Sequence, residues 1–281
     1  MNKISYLAAF CALPLLLSCG NTGVSGNAGR MKVTASITPL AYLAEEIGGD
    51  SVEVQVLLPQ GSDPENFEPQ LGKLRALEGA SVFAATGLLP FENKTVSALA
   101  EGGDARFVPL SCGIDLVRGT HGEGEADPHI WVSVRNLRVM ARTLSDAMAA
   151  ERPAAKDYFA ANWRVLDSRL DSLDRAFSGM FAGSAKPAFL VWHPSLSYFA
   201  RDYGLRQVAI GFEGKENSAV GTRRRIDAAL AGNPKVYFIQ ADEDPRAAET
   251  IPVPDGIRKV SINLMASDWE AELTKVADAL R

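Results

Sequence analysis

The sequence predicts an α/β fold: two parallel-sheet α/β lobes joined by one long rigid helix, with a cleft between the lobes. Three observations carry the fold. Short β-rich runs alternate with helical spacing in the first half of the chain. One uninterrupted helical pattern then runs from Pro153 to about Met180, and strand–helix alternation resumes after it.

The elements follow in order. Lys3 and the apolar run Leu7 to Leu17 read as a signal segment, too short to span a bilayer permanently. "LLSC" closes it in the manner of a bacterial lipoprotein signal, with residues 1–18 removed and Cys19 lipidated. Residues 19–31, rich in Gly, Ser and Asn, form a flexible tether. The N-terminal lobe is expected over 32–150. It opens with "MKVTASI", a helix over "PLAYLAEEIGG" and a second strand, "SVEVQVLL". A helical piece, "LGKLRALEGA", and the strand "SVFAATG" come next, before the pattern pauses at "GTHGEGEADPH". The connecting helix occupies 151–182, with Pro153 suited to a first turn and Tyr158, Trp163, Leu166, Leu170, Leu173 and Phe177 on one face. At about 1.5 Å per residue it reaches about 40 Å, enough to cross a whole domain. The C-terminal lobe, 183–281, alternates "PAFLVWH", a helix around "LSYFARDYG", "QVAIGFE", a helix from about Ser218, "KVYFIQADED" and "KVSINL". "SDWE" reads as a capping box from Ser267 to Glu270 that starts the last helix.

Composition narrows the function. The chain has 281 residues, 47% hydrophobic and 22% charged, with a formal net charge of −5. That balance gives no support for nucleic-acid binding, and Arg223 to Arg225 read as a solvated helix face. Of the three cysteines, Cys11 leaves with the signal and Cys19 is acylated. Cys112 then has no partner, so neither a disulfide nor a thiolate zinc cluster can form, and it is expected to be a small buried apolar residue.

The histidines number three: His121, His129 and His193. A lone histidine at a strand end is commonly structural. In open parallel sheets, however, ligands bind at the carboxyl ends of strands. His193 ends "FLVWH", and Glu65, Asp242 and Asn263 also follow strands. Together with His129, these polar groups would converge on one cleft. Two imidazoles with carboxylates suit zinc or another borderline divalent metal. His121 sits in a glycine- and acid-rich loop and reads as solvated, although with Glu123, Glu125 and Asp127 it could collect metal weakly. "PENFEP", residues 64–69, reads on its own either as a proline-bounded turn or as one wall of that site.

Six motifs, "SITPLAYLAEEIGGD", "VLLPQGSDPENFEPQ", "DPHIWVSVRN", "WHPSLSYFARDYGL", "GFEGKENS" and "INLMASDWE", together resemble the metal-binding lipoproteins of the ZnuA/TroA-like class. The resemblance implies two α/β lobes bridged by a long helix, and a binding protein that delivers zinc or manganese to an ABC importer. His129 matches the family's Asp-Pro-His motif, and His193 matches its ligand at a strand end. Glu65 stands where the family's first histidine usually lies, and Asn263 where its C-terminal aspartate usually lies. The ranking is Glu65, His129 and His193 first, Asp242 next and Asn263 last, because a neutral amide oxygen is a weak donor for zinc. The "EGKE" stretch, Glu213 to Glu216, resembles a family loop beside the cleft.

Zinc is the expected cargo, with manganese as the alternative. The expected partners are an ABC importer permease with its ATPase, and a membrane reached through the anchor on Cys19. The chain is expected to be an extracytoplasmic monomer that binds no nucleic acid. No Walker-type loop is present, so pumping falls to partners. Two rivals remain at this point. One is a zinc hydrolase with Glu65 as base, which lacks a His-Glu-x-x-His motif; the other is an adhesin or scaffold with a degenerate site.

Overall fold

The N-terminal apolar runs pair as a wholly parallel sheet. β1 (Met31–Ala35), β2 (Val52–Val56), β3 (Val82–Ala85) and β4 (Arg106–Pro109) lie in the order β2-β1-β3-β4. A second parallel sheet repeats that order as β6-β5-β7-β8, from β5 (Ala188–Val191), β6 (Arg206–Ala209), β7 (Val236–Gln240) and β8 (Arg258–Ile262). The computed structural model describes residues 29–281 apart from 75–76, 103–104, 121–123, 184–186, 212–218, 242–252 and 254–255.

Parallel strands need helical crossovers, and these are α1 (Thr38–Gly48), α2 (Leu71–Leu74) and α3 (Pro90–Gly102) in the first lobe and α6 (Ser197–Tyr203) and α7 (Ala219–Leu230) in the second; α4 (Val134–Glu151) follows β4 and the last helix, α8 (Trp269–Leu280), follows β8. Between the lobes runs α5 (Lys156–Met180), entered through a 3-10 turn at Pro153–Ala155. In each lobe the first and third strands lie side by side while the chain departs from them to opposite sides. That is the switch point at which strand carboxyl ends open a crevice.

The strand runs, α1, the long helix and the last helix form as the sequence predicts, with four differences. The long helix turns Phe159 inward with Leu166, Leu170 and Phe177, whereas Tyr158 is exposed. The repeat that reaches the core starts one residue later than the sequence suggests. Asp268, not Ser267, caps α8, its carboxylate accepting from Ala271 N–H at 3.1 Å. Cys112 is exposed, because it lies in the turn that leaves β4, its N–H donating to the Pro109 carbonyl. The spacing also gave no sign of α3 or β4. β4 is four residues long and shows only one buried position.

One apolar core runs through both lobes, from Val33 and Leu40 through Met140, Leu166 and Leu170 to Phe238 and Trp269. A smaller cluster of Leu190, Ile210, Ile226, Ala229 and Tyr237 lies against the second sheet. The lobes are therefore not separate bodies hung on a helix. Arg169 of α5 adds a polar pin between them, 3.0 Å from Glu46 of α1 and 2.7 Å from Glu270 of α8. Tyr42 meets Trp269 edge-on at 5.6 Å beside this pin.

Burial, then repulsion from Glu270 and Glu45, pushes the Glu46 carboxyl above the usual carboxylate range. A raised folded-state value means that this group's contribution to stability is present at low pH and is lost as pH rises through that value. Arg169 offsets the repulsion. Because its side chain is 43% exposed, Arg169→Met should cost only about 1 kcal/mol at neutral pH, or about 2–4 °C in melting temperature. The cost should shrink as acid protonates Glu46. Thermal melts of both proteins at neutral and acid pH test this.

Candidate metal centre

The site is assembled from three connections. The first follows β2, where residues 57–70 cross the mouth of the cleft. Pro64 and Pro69 restrict its backbone, and Asp63 folds it, its carboxylate accepting from Glu65 N–H at 2.8 Å and from Asn66 Nδ2 at 2.6 Å. This Asx turn aims Glu65 inward, leaving its side chain 14% exposed. The second connection lies between β4 and α4. His129 precedes a 3-10 turn, Ile130–Val132, and Ser133 then caps α4 by accepting from Asn136 N–H at 3.0 Å. The third follows β5, where Trp192-His193-Pro194 leaves the strand.

These connections bring one donor atom each of Glu65, His129 and His193 to within 4.8 Å of one another. Glu65 Oε1 lies 3.2 Å from His193 Nε2 and 3.6 Å from His129 Nε2. A tetrahedral zinc with arms of about 2.0–2.1 Å has ligand–ligand edges of about 3.4 Å, so both separations already suit one ion. The imidazole rings stand 5.1 Å apart at 60°.

Asp127 is the residue whose role the sequence reading missed. It is fully buried, and its Oδ1 accepts from the His129 backbone N–H at 2.9 Å and lies 3.0 Å from His129 Nδ1. A carboxylate can only accept, so Nδ1 carries the proton and Nε2 presents its lone pair to the cleft. Thr120 donates its hydroxyl to Oδ2 at 3.1 Å, and Tyr198 of the other lobe donates to the Asp127 carbonyl at 2.7 Å. Burial and the Asp127 charge push the Tyr198 phenol up, which keeps it a neutral donor. Asp127 is thus no part of a solvated collecting loop. The Asp-Pro-His motif held the only signal for its role.

Charge also favours a dication. With Glu65 and Asp127 ionised and both imidazoles neutral, the nearly dry site carries two negative charges, which a divalent ion cancels. Trp131 walls the site, its ring 5.0 Å from that of His129, and its Nε1 donates to the Leu264 carbonyl of the other lobe at 3.1 Å.

Asn263 lies across the cleft, just beyond β8. Its Oδ1 accepts from Met265 N–H at 3.0 Å, and its N–H donates to Glu272 at 2.8 Å. With Thr38, Leu58, Gly61, Ser62 and Ala241 it lines an inter-lobe pocket of about 180 Å³. Asp242, His121, Glu213, Glu216 and Cys19 lie outside the described residues.

A family model described as "Zinc-uptake complex component A periplasmic" matches residues 33–274. The zinc-binding lipoprotein AdcA of Streptococcus pneumoniae (strain ATCC BAA-255 / R6) is 25% identical over 291 residues, covering 97% of this chain and 57% of its own. The chain thus spans little more than half of that relative. The high-affinity zinc uptake system protein ZnuA of Bacillus subtilis (strain 168) is 25% identical over 283 residues, covering 92% of this chain and 87% of its own. A crystal structure of a ZnuA deletion mutant with zinc bound superposes with a TM-score of 0.81 at 32% identity, covering 88% of this chain and 95% of the other.

Proposed function

Since the chain belongs to the zinc-uptake component A family, we propose that it captures a zinc ion between its lobes and hands it to an importer in the membrane. The observation that carries this reading is the meeting of Glu65, His129 and His193 from connections in both lobes. These would be the protein's ligands, with zinc as cargo. The fourth position falls to Asp242, to water or, last, to Asn263, whose side-chain oxygen already accepts from Met265. Manganese is the alternative cargo, because Glu65 supplies a hard oxygen donor where the family usually has an imidazole.

The partners follow from the same reading: an ABC permease with its ATPase on one side, and a lipid anchor on Cys19 with a short tether on the other. Among the described residues no helix is long and apolar enough to cross a membrane. The protein would act as an extracytoplasmic monomer. Because one core runs through both lobes, release would proceed by local rearrangement of a cleft loop rather than by wide hinge opening. Uptake rather than turnover is the business of the family, so the hydrolase reading is set aside. The compact donor cluster argues against a degenerate scaffold.

Chelator-competition titration of the full chain tests the proposal. One tight equivalent of zinc supports it, and no binding at micromolar zinc overturns it. Binding must leave both imidazoles deprotonated at Nε2, so apparent affinity should weaken steadily from about pH 7.5 to about pH 5.5. A dissociation constant that stays flat over that range would count against either histidine as a ligand.

A further inference from the structure

The loop that carries Glu65 has little regular structure of its own, so something outside it must fix where the carboxylate points. Phe67, two residues on, packs against the main core and meets Phe91 edge-on, with ring centroids 5.2 Å apart at 83°. Phe91 is itself buried, in the first turn of α3. That turn is anchored unusually firmly. Glu92, fully buried, accepts five hydrogen bonds: from Thr86 N–H at 2.8 Å, Thr86 Oγ1 at 2.7 Å, Gly87 N–H at 2.7 Å, Leu88 N–H at 3.1 Å and Leu89 N–H at 3.2 Å. A buried carboxylate so fully satisfied locks its surroundings, because every donor released would be left unpaired. Lys94, one turn further along α3, adds an exposed ion pair to Glu68 at 2.6 Å.

We propose that Phe67, seated against Phe91 on this Glu92-braced turn, is the positioning residue for the Glu65 carboxylate. Phe67 contributes no ligand. It holds the metal loop to a rigid platform, so that Glu65 meets the two imidazoles without a search for the bound geometry. Less ordering is then left to be done when the ion arrives. The inference rests on the reading of Glu65 as a ligand, and its test separates the two.

The test is a cycle of wild type, Phe67→Ala, Glu65→Ala and the double variant in the full chain. Each is titrated with zinc alone against a chelator, and each metal-free melt is recorded. Phe67→Ala should lose about tenfold in zinc affinity, at the low end for residues that orient a ligand. In the Glu65→Ala background the same change should cost nothing further, which a general loss of structure would not produce. If Phe67→Ala does not fold, Phe67→Leu enters the cycle, with a smaller loss and the same non-additivity. A loss of equal size in both backgrounds, or no loss in wild type, overturns the positioning role while leaving Glu65 a ligand. Glu65→Ala with wild-type affinity overturns the ligand assignment instead.

Discussion

Zinc binding by Glu65→Ala should fall by about 100-fold or more. Replacing residues that merely orient a metal ligand typically costs about 10–100-fold, and losing a charged first donor should exceed that. The geometry gives the reason. Glu65 Oε1 stands beside Nε2 of both imidazoles, at 3.2 Å from His193 and 3.6 Å from His129, and it supplies half of the negative charge that a dication would cancel. Glu65→His should recover most of the zinc affinity. The backbone is set by Pro64, Pro69 and the Asp63 turn, none of which changes, and zinc accepts an imidazole readily. The same variant should bind manganese less well than wild type, since manganese favours oxygen donors. Competition titrations of the three proteins with both metals decide the point. Wild-type zinc affinity in Glu65→Ala would make the residue a turn residue only.

The second large effect is expected at Asp127. Asp127→Ala removes the acceptor for His129 Nδ1–H and breaks the hydrogen bonds that the buried His129 N–H and the half-buried Thr120 hydroxyl make to this carboxylate. The ring is then free to rotate or to change tautomer, and zinc affinity should fall by about 10–100-fold. Stability of the metal-free protein should fall too, by about 1–3 kcal/mol for the hydrogen bonds lost in a buried setting. Asp127→Asn retains an oxygen that can accept from Nδ1–H, so its losses should be smaller on both counts. Affinity and metal-free melts of the pair check this. Asp127→Ala with unchanged zinc affinity would mean that the placement of the His129 ring does not depend on Asp127.

Much of the architecture was legible because its signals are local. The β-rich runs at 31–37 and 51–58, the stop at Gly48-Gly49 and the long apolar repeat to Phe177 each give their element away within a few residues. Where several local solutions compete, the sequence is ambiguous. Ser267 and Asp268 are both good caps by residue type, and in the structure it is Asp268 that caps the helix. Tyr158 and Phe159 are both aromatic, and only the packing of α5 turns Phe159 inward. Cys112 looked like a core residue by type, but its place in a turn exposes it. The candidate donors Glu65, His129 and His193 could be listed from strand ends, yet their convergence depends on contacts between the lobes. Asp127 and Phe67 lie one step further from the letters. Their roles are expressed only through other side chains, across a two-residue turn in one case and against a helix 24 positions away in the other.

Anomalous diffraction at the zinc edge, from crystals of the zinc-loaded protein, decides whether Glu65, His129 and His193 hold the ion. One strong peak is expected in the inter-lobe cleft, about 2.0–2.1 Å from Nε2 of both His129 and His193 and about 2.0–2.2 Å from a Glu65 carboxylate oxygen. A fully loaded protein whose zinc peak lies away from these three side chains would contradict their assignment as ligands.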